Sequence, residues 1–384
     1  MLIKKSSYQS VLFVLLLVSG TLKNFAETYV GGVDIALLMA VIVLLDIIVN
    51  KVVIPENCKD IFFLFSVFTL YIVISMGYSN STFYLFEKFR GYILNILYFT
   101  YPFFIRKIDV KKFIYTYLLI IVPLAIFFIQ RKTVVWDGSD SSETFMDLRS
   151  AYLAISYHLG IIMIILAYYR KNIYIVLFLL GLIFATSARG PFIFAALTLI
   201  IIYFKSLKGA VKNFSKYIPY VLGTIWIPIV IIYKYQDSII ANLGTAFSRY
   251  TSLEHNDRSL GERVKMFEYA YSQPFDKITT FIFGNGFGSF GVNFTGIDQR
   301  GYPHNIVLEV FYELGIIGVF VFLIFLYLII RKTFKNKNVF LYIIIFTLLN
   351  ALKSYTISDL WIQFAFLGCI VRDFKEYDNK KYLY

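Results

Sequence analysis

Apolar stretches of about 20 residues alternate with short charged clusters along almost the whole chain, the pattern of helices that cross a bilayer and the loops that join them. Marking each apolar run between charges predicts spans starting near Tyr8, Val30, Ile61, Lys88, Phe113, Ala151, Asn172, Arg189, Tyr217, His304, Val339 and Ser358. The predicted fold is therefore all-α: a polytopic integral membrane protein with about twelve transmembrane helices. Residues 1–234 hold spans one to nine, residues 235–303 form a large outer loop, and residues 304–384 hold the last three spans and a tail. The N-terminus has the basic start and apolar middle of a signal peptide but no A-x-A cleavage site, so it reads as the first span.

Lys and Arg set the orientation. With the N-terminus inside, the inner loops carry Lys51 and Lys59, Arg106 to Lys112, Arg170 and Lys171, Lys205 to Lys216, and Arg331 to Lys337. The basic tail then also falls inside, as the positive-inside rule requires of an even number of spans. Only the loop of about seventy residues from Tyr235 to Pro303 departs from this pattern, with Arg249, Arg258, Arg263, Lys265, Lys277 and Arg300 on the outer face. Long loops translocate regardless of charge, so the orientation stands and the cations suggest an anionic ligand.

Within that loop, "GERVKMFEYAYSQPF" has helical periodicity, with Val264, Phe267, Ala270 and Tyr271 predicted on one apolar face. Turn formers dominate from Gly284 to Gly301. There stands "GFGSFG", Gly286 to Gly291, with the G-x-G-x-x-G spacing of dinucleotide-binding turns. "TTFIF" before it is a candidate short strand, but "VNFTGIDQRGYP" after it is too rich in turn formers to open a helix that cradles pyrophosphate. A dinucleotide fold is thereby disfavoured.

Composition agrees with a membrane protein: 59% of residues are hydrophobic and only 16% charged, against roughly 25% charged in soluble domains. The net charge of +13 is then first explained by inner loops, not by nucleic acid. Cys58 and Cys369 are too few and too far apart in depth for a disulfide framework or metal cage, and read as structural thiols.

Three stretches carry candidate chemistry. In "TSARGPFIFAAL", Arg189 stands at the outer end of the eighth span before Gly190 and Pro191; with the helix predicted to start at Pro191, its unpaired N–H groups and the guanidinium face one place, fit for an anion. Snorkelling to lipid phosphates is the competing reading. In "RSLGERVKMFEYA", Arg258 and Arg263 offer planar forks that suit phosphate oxygens, or else a solvated face paired with Glu262 and Glu268. In "YPHNIVLEVFYELGIIG", His304 begins the tenth span, where the helix dipole disfavours protonation and leaves the ring able to accept a proton; Asn305 is placed to hold a hydroxyl or orient the ring. Glu309 and Glu313, one turn apart, are predicted to face the protein interior. His158 and His255 are weaker candidates, and no regular ligand spacing predicts a metal or other cofactor.

Together these stretches resemble the bacterial O-antigen polymerase and O-antigen ligase superfamily. His304-Asn305, nine residues, Gly315, two residues and Gly318 fit the signature H-[N/S/Q]-x9-G-x-x-[G/T/Y]; "SARG", "ERVKMF" and "FGNGFGSF" are similar to its other motifs. Phe267 stands where tryptophan is common, and the spacing from Pro274 to Gly284 is longer than usual. The resemblance implies a GT-C-like, metal-independent, inverting glycosyltransferase of lipopolysaccharide synthesis in the bacterial inner membrane. Both termini would be cytoplasmic and the active site periplasmic.

Its implied substrate is an undecaprenyl-diphosphate-linked oligosaccharide, and a chain-length regulator and flippase of the same pathway are implied partners. Catalysis would fall to His304, Arg189 and Arg263. Substrate binding would involve Asn305, Arg258, Arg300, Gly286 and Gly288, the glycines letting backbone approach glycan or diphosphate. Polymerase is the leading reading because of the full glycine-rich stretch, ligase the second. A flippase or other transporter is disfavoured, since polar residues gather at one outer surface and the halves do not repeat.

Overall fold

The computed structural model describes residues 2–29, 34–52, 58–136, 143–170, 172–212, 258–336 and 338–372. Its helices are α1 (Leu2–Tyr29), α2 (Ile35–Val49), α3 (Lys59–Met76), α4 (Phe83–Thr100), α5 (Val110–Trp136), α6 (Glu143–Tyr168) and α7 (Ile173–Ala185). They continue with α8 (Arg189–Lys212), α9 (Arg258–Ser272), α10 (Ile278–Phe283), α11 (Phe290–Thr295), α12 (Ile306–Asn336), α13 (Val339–Ser354) and α14 (Trp361–Arg372). Short 3-10 turns cover Tyr101–Phe104, Gln273–Asp276 and Ile357–Asp359. No strand occurs among the described residues, and the all-α expectation holds.

Eleven of the expected spans coincide with helices; the ninth, near Tyr217, lies outside the described residues, as do His255 and Arg249. Among the described residues, four stretches are long and apolar enough to cross a membrane: Lys59–Met76, Val110–Gln130, Ala151–Tyr168 and Ile306–Thr333. Six further helices are apolar but shorter. Helix α4 is in neither set, because Glu87, Lys88 and Arg90 interrupt it. Elsewhere the apolar faces are open: Ile48, Val49, Leu119 and Phe320 are 66–78% exposed, a surface that suits lipid chains rather than water.

The chain divides into two units, with the division falling inside α1 and α5. The first holds Met1–Gly20, Asp34–Thr116 and Asn256–Tyr384. Its centre is α14, buried from Ile362 to Val371 as expected of a helix that is apolar on every side. Lipid gives helices no hydrophobic drive to associate, so close contact must do so. Gly368 supplies it: a Cβ there would lie 2.2 Å from the Phe99 carbonyl oxygen of α4. Around it Phe65, Phe99, Phe325 and Phe364 make ring contacts at 4.4–6.4 Å, each worth about 0.5–1.5 kcal/mol. Cys58 and Cys369 are both buried and unbridged.

The second unit, Thr21–Val33 and Tyr117–His255, packs α6 against α7 and α8. His158 is fully buried in it, with Nδ1 2.7 Å from the Tyr117 hydroxyl and Nε2 3.0 Å from that of Thr21. Both ring nitrogens are satisfied, so this histidine is structural.

Candidate functional site

The expected start of the tenth span at His304 moves to Ile306, and the shift defines the site. Pro303 keeps Tyr302 out of the helical region, and His304 then turns left-handed, at φ 57°. Asn305 caps α12: its Oδ1 accepts from the amides of Val307 and Leu308 at 3.0 and 3.1 Å, and its carbonyl accepts from Glu309. Part of the side chain expected to bind substrate is thus engaged in starting the helix.

The His304 imidazole is half-buried. Burial first, and then the positive charges of Arg263 and Arg300, push its pKa down to about 4. The ring is neutral at pH 7, as the sequence suggested, but burial and two guanidinium groups account for it where the helix dipole had been invoked. Nδ1 is buried without a hydrogen-bond partner. Among the described residues no hydrogen bond reaches either ring nitrogen, and Nε2 is the one left open to a substrate.

Arg263 comes from α9, and its charge also acts on Tyr302. Arg258 is the first residue of that helix, and the structure describes only its backbone. The helix forms as predicted, but most of that apolar face is not the one it buries. Val264, Phe267 and Tyr271 are 47–58% exposed. Ala270 is buried, and Met266 and Tyr269 pack with it against Phe290 and Tyr312. The chain thus buries the next stripe round the helix, and that rotation leaves Arg263 half-buried.

Arg300 is not free for a ligand in the way expected: its Nη2 donates to Asp359 Oδ2 at 2.6 Å. Arg189 belongs to the second unit, where it opens α8 two residues earlier than predicted, with Pro191 still inside the first turn. The residue two before it, Ser187, is left-handed at φ 65°, as His304 is two before α12.

The glycine-rich stretch corrects one expectation and leaves another standing. The segment before it is helical (α10), not a strand, and after it comes only a six-residue helix, α11, beginning at Phe290 within the run. Neither makes a dinucleotide site. Its close approach is to protein. Helix α12 breaks at Gly315, φ 63°, which frees carbonyls that must be paired. The Asn285 amide donates to Tyr312 O at 2.9 Å, the Gly286 amide to Glu313 O at 3.0 Å, and the Tyr71 hydroxyl to Leu314 O at 3.0 Å. The Gly288 amide donates to the Glu313 carboxylate. Gly286 and Gly288, expected at substrate, therefore have their amides committed to Glu313, the first to its carbonyl and the second to its carboxylate. A Cβ on Gly284 would lie 2.3 Å from Glu313 backbone, and one on Gly286 2.5 Å from Ser79, so only glycine fits.

Sequence reasoning missed Lys88. Read as the charge at a span boundary, it is instead 1% exposed and lies between Glu309 and Glu313, each also 1% exposed. Its Nζ donates to Glu309 and to both Glu313 oxygens, at 2.6 and 2.7 Å, and stands 4.9 Å over the Phe287 ring between the two glycines. Glu309 also accepts from the Thr356 hydroxyl and the Ile357 amide. The signal was present: two carboxylates one turn apart in an apolar helix need a cation. Asp298 was missed too. It accepts from the Ser81 hydroxyl and the amides of Thr82, Phe83 and Tyr84 at 2.7–3.3 Å, tying the loop to the start of α4. Its burial alone would raise its pKa, but these hydrogen bonds outweigh that and hold it well below the usual carboxylate range.

Among the described residues no group of three or more His, Cys, Asp or Glu is placed to hold a metal ion. Among curated proteins none matches the chain. Residues 173–323 match the family model described as O-antigen ligase. That segment runs from the start of α7 into α12 and contains every residue assigned above to catalysis or substrate binding. The match covers less than half of the chain, and over that segment the chain is similar to the O-antigen ligase family.

Proposed function

We propose that the protein is a surface-polysaccharide polymerase, joining undecaprenyl-diphosphate-linked oligosaccharide units at the outer face of a bacterial inner membrane. The observation that carries the reading is a neutral, unpartnered His304 imidazole under the field of Arg263 and Arg300. An acceptor hydroxyl gives its proton to Nε2 as its oxygen attacks the anomeric carbon. The bond from that carbon to the diphosphate breaks, undecaprenyl diphosphate leaves, and the configuration inverts. Arg263, with the remaining donors of Arg300, stabilises the leaving diphosphate.

Binding and basicity are coupled. The same two cations that attract the diphosphate hold the imidazole pKa down, so a bound diphosphate offsets them and strengthens the base only once substrate is in place. The mechanism assigns no step to a metal, and activity is expected to survive EDTA. A chain-length regulator and a flippase of the same pathway are the proposed partners.

The ligase reading is favoured by one specific observation, the description of the matching family model. Gene deletion followed by gel analysis of the lipopolysaccharide separates the two. A polymerase deletion leaves a single repeat unit on the core, whereas a ligase deletion leaves none.

A further inference from the structure

His304 lacks the usual means by which a base histidine is oriented. In most such sites one ring nitrogen is hydrogen-bonded to a carboxylate or carbonyl, which fixes ring and tautomer while the other nitrogen reacts. Here Nδ1 is buried with no hydrogen-bond partner among the described residues. The backbone does not favour the pose either, since His304 has a left-handed φ of 57°, which is strained for a non-glycine residue.

An aromatic contact holds the ring instead. The Tyr302 and His304 ring centroids are 4.4 Å apart at 55°, and the Arg300 guanidinium lies over the Tyr302 ring at 5.6 Å. Arg300 is anchored by Asp359. Asp359 ends the turn Ile357–Asp359, whose first amide donates to Glu309 at 3.0 Å. A continuous line of contacts thus runs from the buried Lys88 cluster to the imidazole. Pro303, between the two rings in sequence, limits how far they can move apart.

We propose that Tyr302 is the positioning residue of the site: anchored through Arg300 to Asp359, it aligns the His304 imidazole by ring contact in place of the missing hydrogen bond. The task given to the aligned ring rests on the glycosyl-transfer reading above; the alignment itself is a property of the unliganded chain. Substrate then selects the tautomer, because none of the described residues binds Nδ1.

The test uses the full-length protein in detergent, with two readouts. Steady-state transfer from an undecaprenyl-diphosphate-linked oligosaccharide is expected to lose kcat by roughly 10- to 100-fold in Tyr302→Leu while KM stays within about twofold. Tyr302→Phe, which keeps the ring, is expected to stay within about twofold of the parent on both. Independently of activity, carbethoxylation of His304 by diethyl pyrocarbonate, followed by mass spectrometry of its peptide, should be severalfold faster in Tyr302→Leu and unchanged in Tyr302→Phe.

Equal modification rates and equal kcat in parent and Tyr302→Leu would overturn the proposal. If Tyr302→Leu is not recovered folded, Asp359→Ala replaces it: faster modification with lowered kcat supports the alignment, and no change in either overturns it. Full activity of His304→Ala would instead defeat the catalytic reading, while the modification rates still judge the alignment.

Discussion

Replacing Lys88 with methionine probes the physics of the first unit most sharply. The substitution keeps the length of the side chain and removes the only cation that donates to Glu309 and Glu313 among the described residues. Glu309 retains the Thr356 hydroxyl and the Ile357 amide, and Glu313 retains the Gly288 amide. Two carboxylates, each 1% exposed, would then share one face of α12 without a countercharge. Breaking a buried pair by removing one partner costs about 3–5 kcal/mol, and loss of the Lys88–Phe287 contact adds about 0.5–2 kcal/mol. Against a total stability of about 5–15 kcal/mol this is a large fraction.

Thermal unfolding of the detergent-solubilised protein, followed by tryptophan fluorescence and by the monodisperse fraction on a sizing column, is the assay. Lys88→Met is expected to melt many degrees lower or to be lost from the monodisperse peak. The triple variant Lys88→Met/Glu309→Gln/Glu313→Gln should recover most of that loss, because a neutral cluster carries no unpaired charge. A single variant that melts with the parent would refute the argument that the lysine neutralises this pair.

The same thermal assay checks two smaller predictions. Gly284→Ala should be unrecoverable or severely destabilised, because its Cβ would meet Glu313 backbone at 2.3 Å, whereas Gly296→Ala, also left-handed but with open space around it, should cost only about 1 kcal/mol. Asp298→Ala should lose about 0.5–2 kcal/mol at neutral pH through the missing cap on α4. Because the folded pKa of Asp298 is depressed, its contribution is present above the unfolded value of about 3.9 and fades as pH falls towards the folded one, so parent and variant should converge only in strong acid. A gap between the two that stays constant into strong acid would contradict that role for the carboxylate.

The helices were legible because apolar length and charge punctuation are local properties, and eleven predicted spans meet eleven helices. The motif residues were legible for the same reason, as His304, Asn305 and the glycines stand close together in sequence. What escaped was pairing over distance. Lys88 meets Glu309 and Glu313 across more than two hundred residues, and Asp298 meets α4 in the same way. No periodicity records such contacts. Which face of α9 turns inward was not legible either, because Tyr269 has a polar tip; its hydroxyl donates to Asn293 O at 2.8 Å, which lets the ring turn inward. The glycines were read by spacing as a ligand cradle, although their task is set by a break in another helix, at Gly315.

The central claim is that a neutral His304 takes the acceptor proton, and the pH dependence of kcat/KM for release of undecaprenyl diphosphate by the purified protein tests it most directly. The account predicts an acid limb in which activity falls as pH drops through about 4, the free-enzyme value of the imidazole, and near-complete loss of turnover at every pH in His304→Ala. An acid limb unchanged in shape and height in His304→Ala would contradict it.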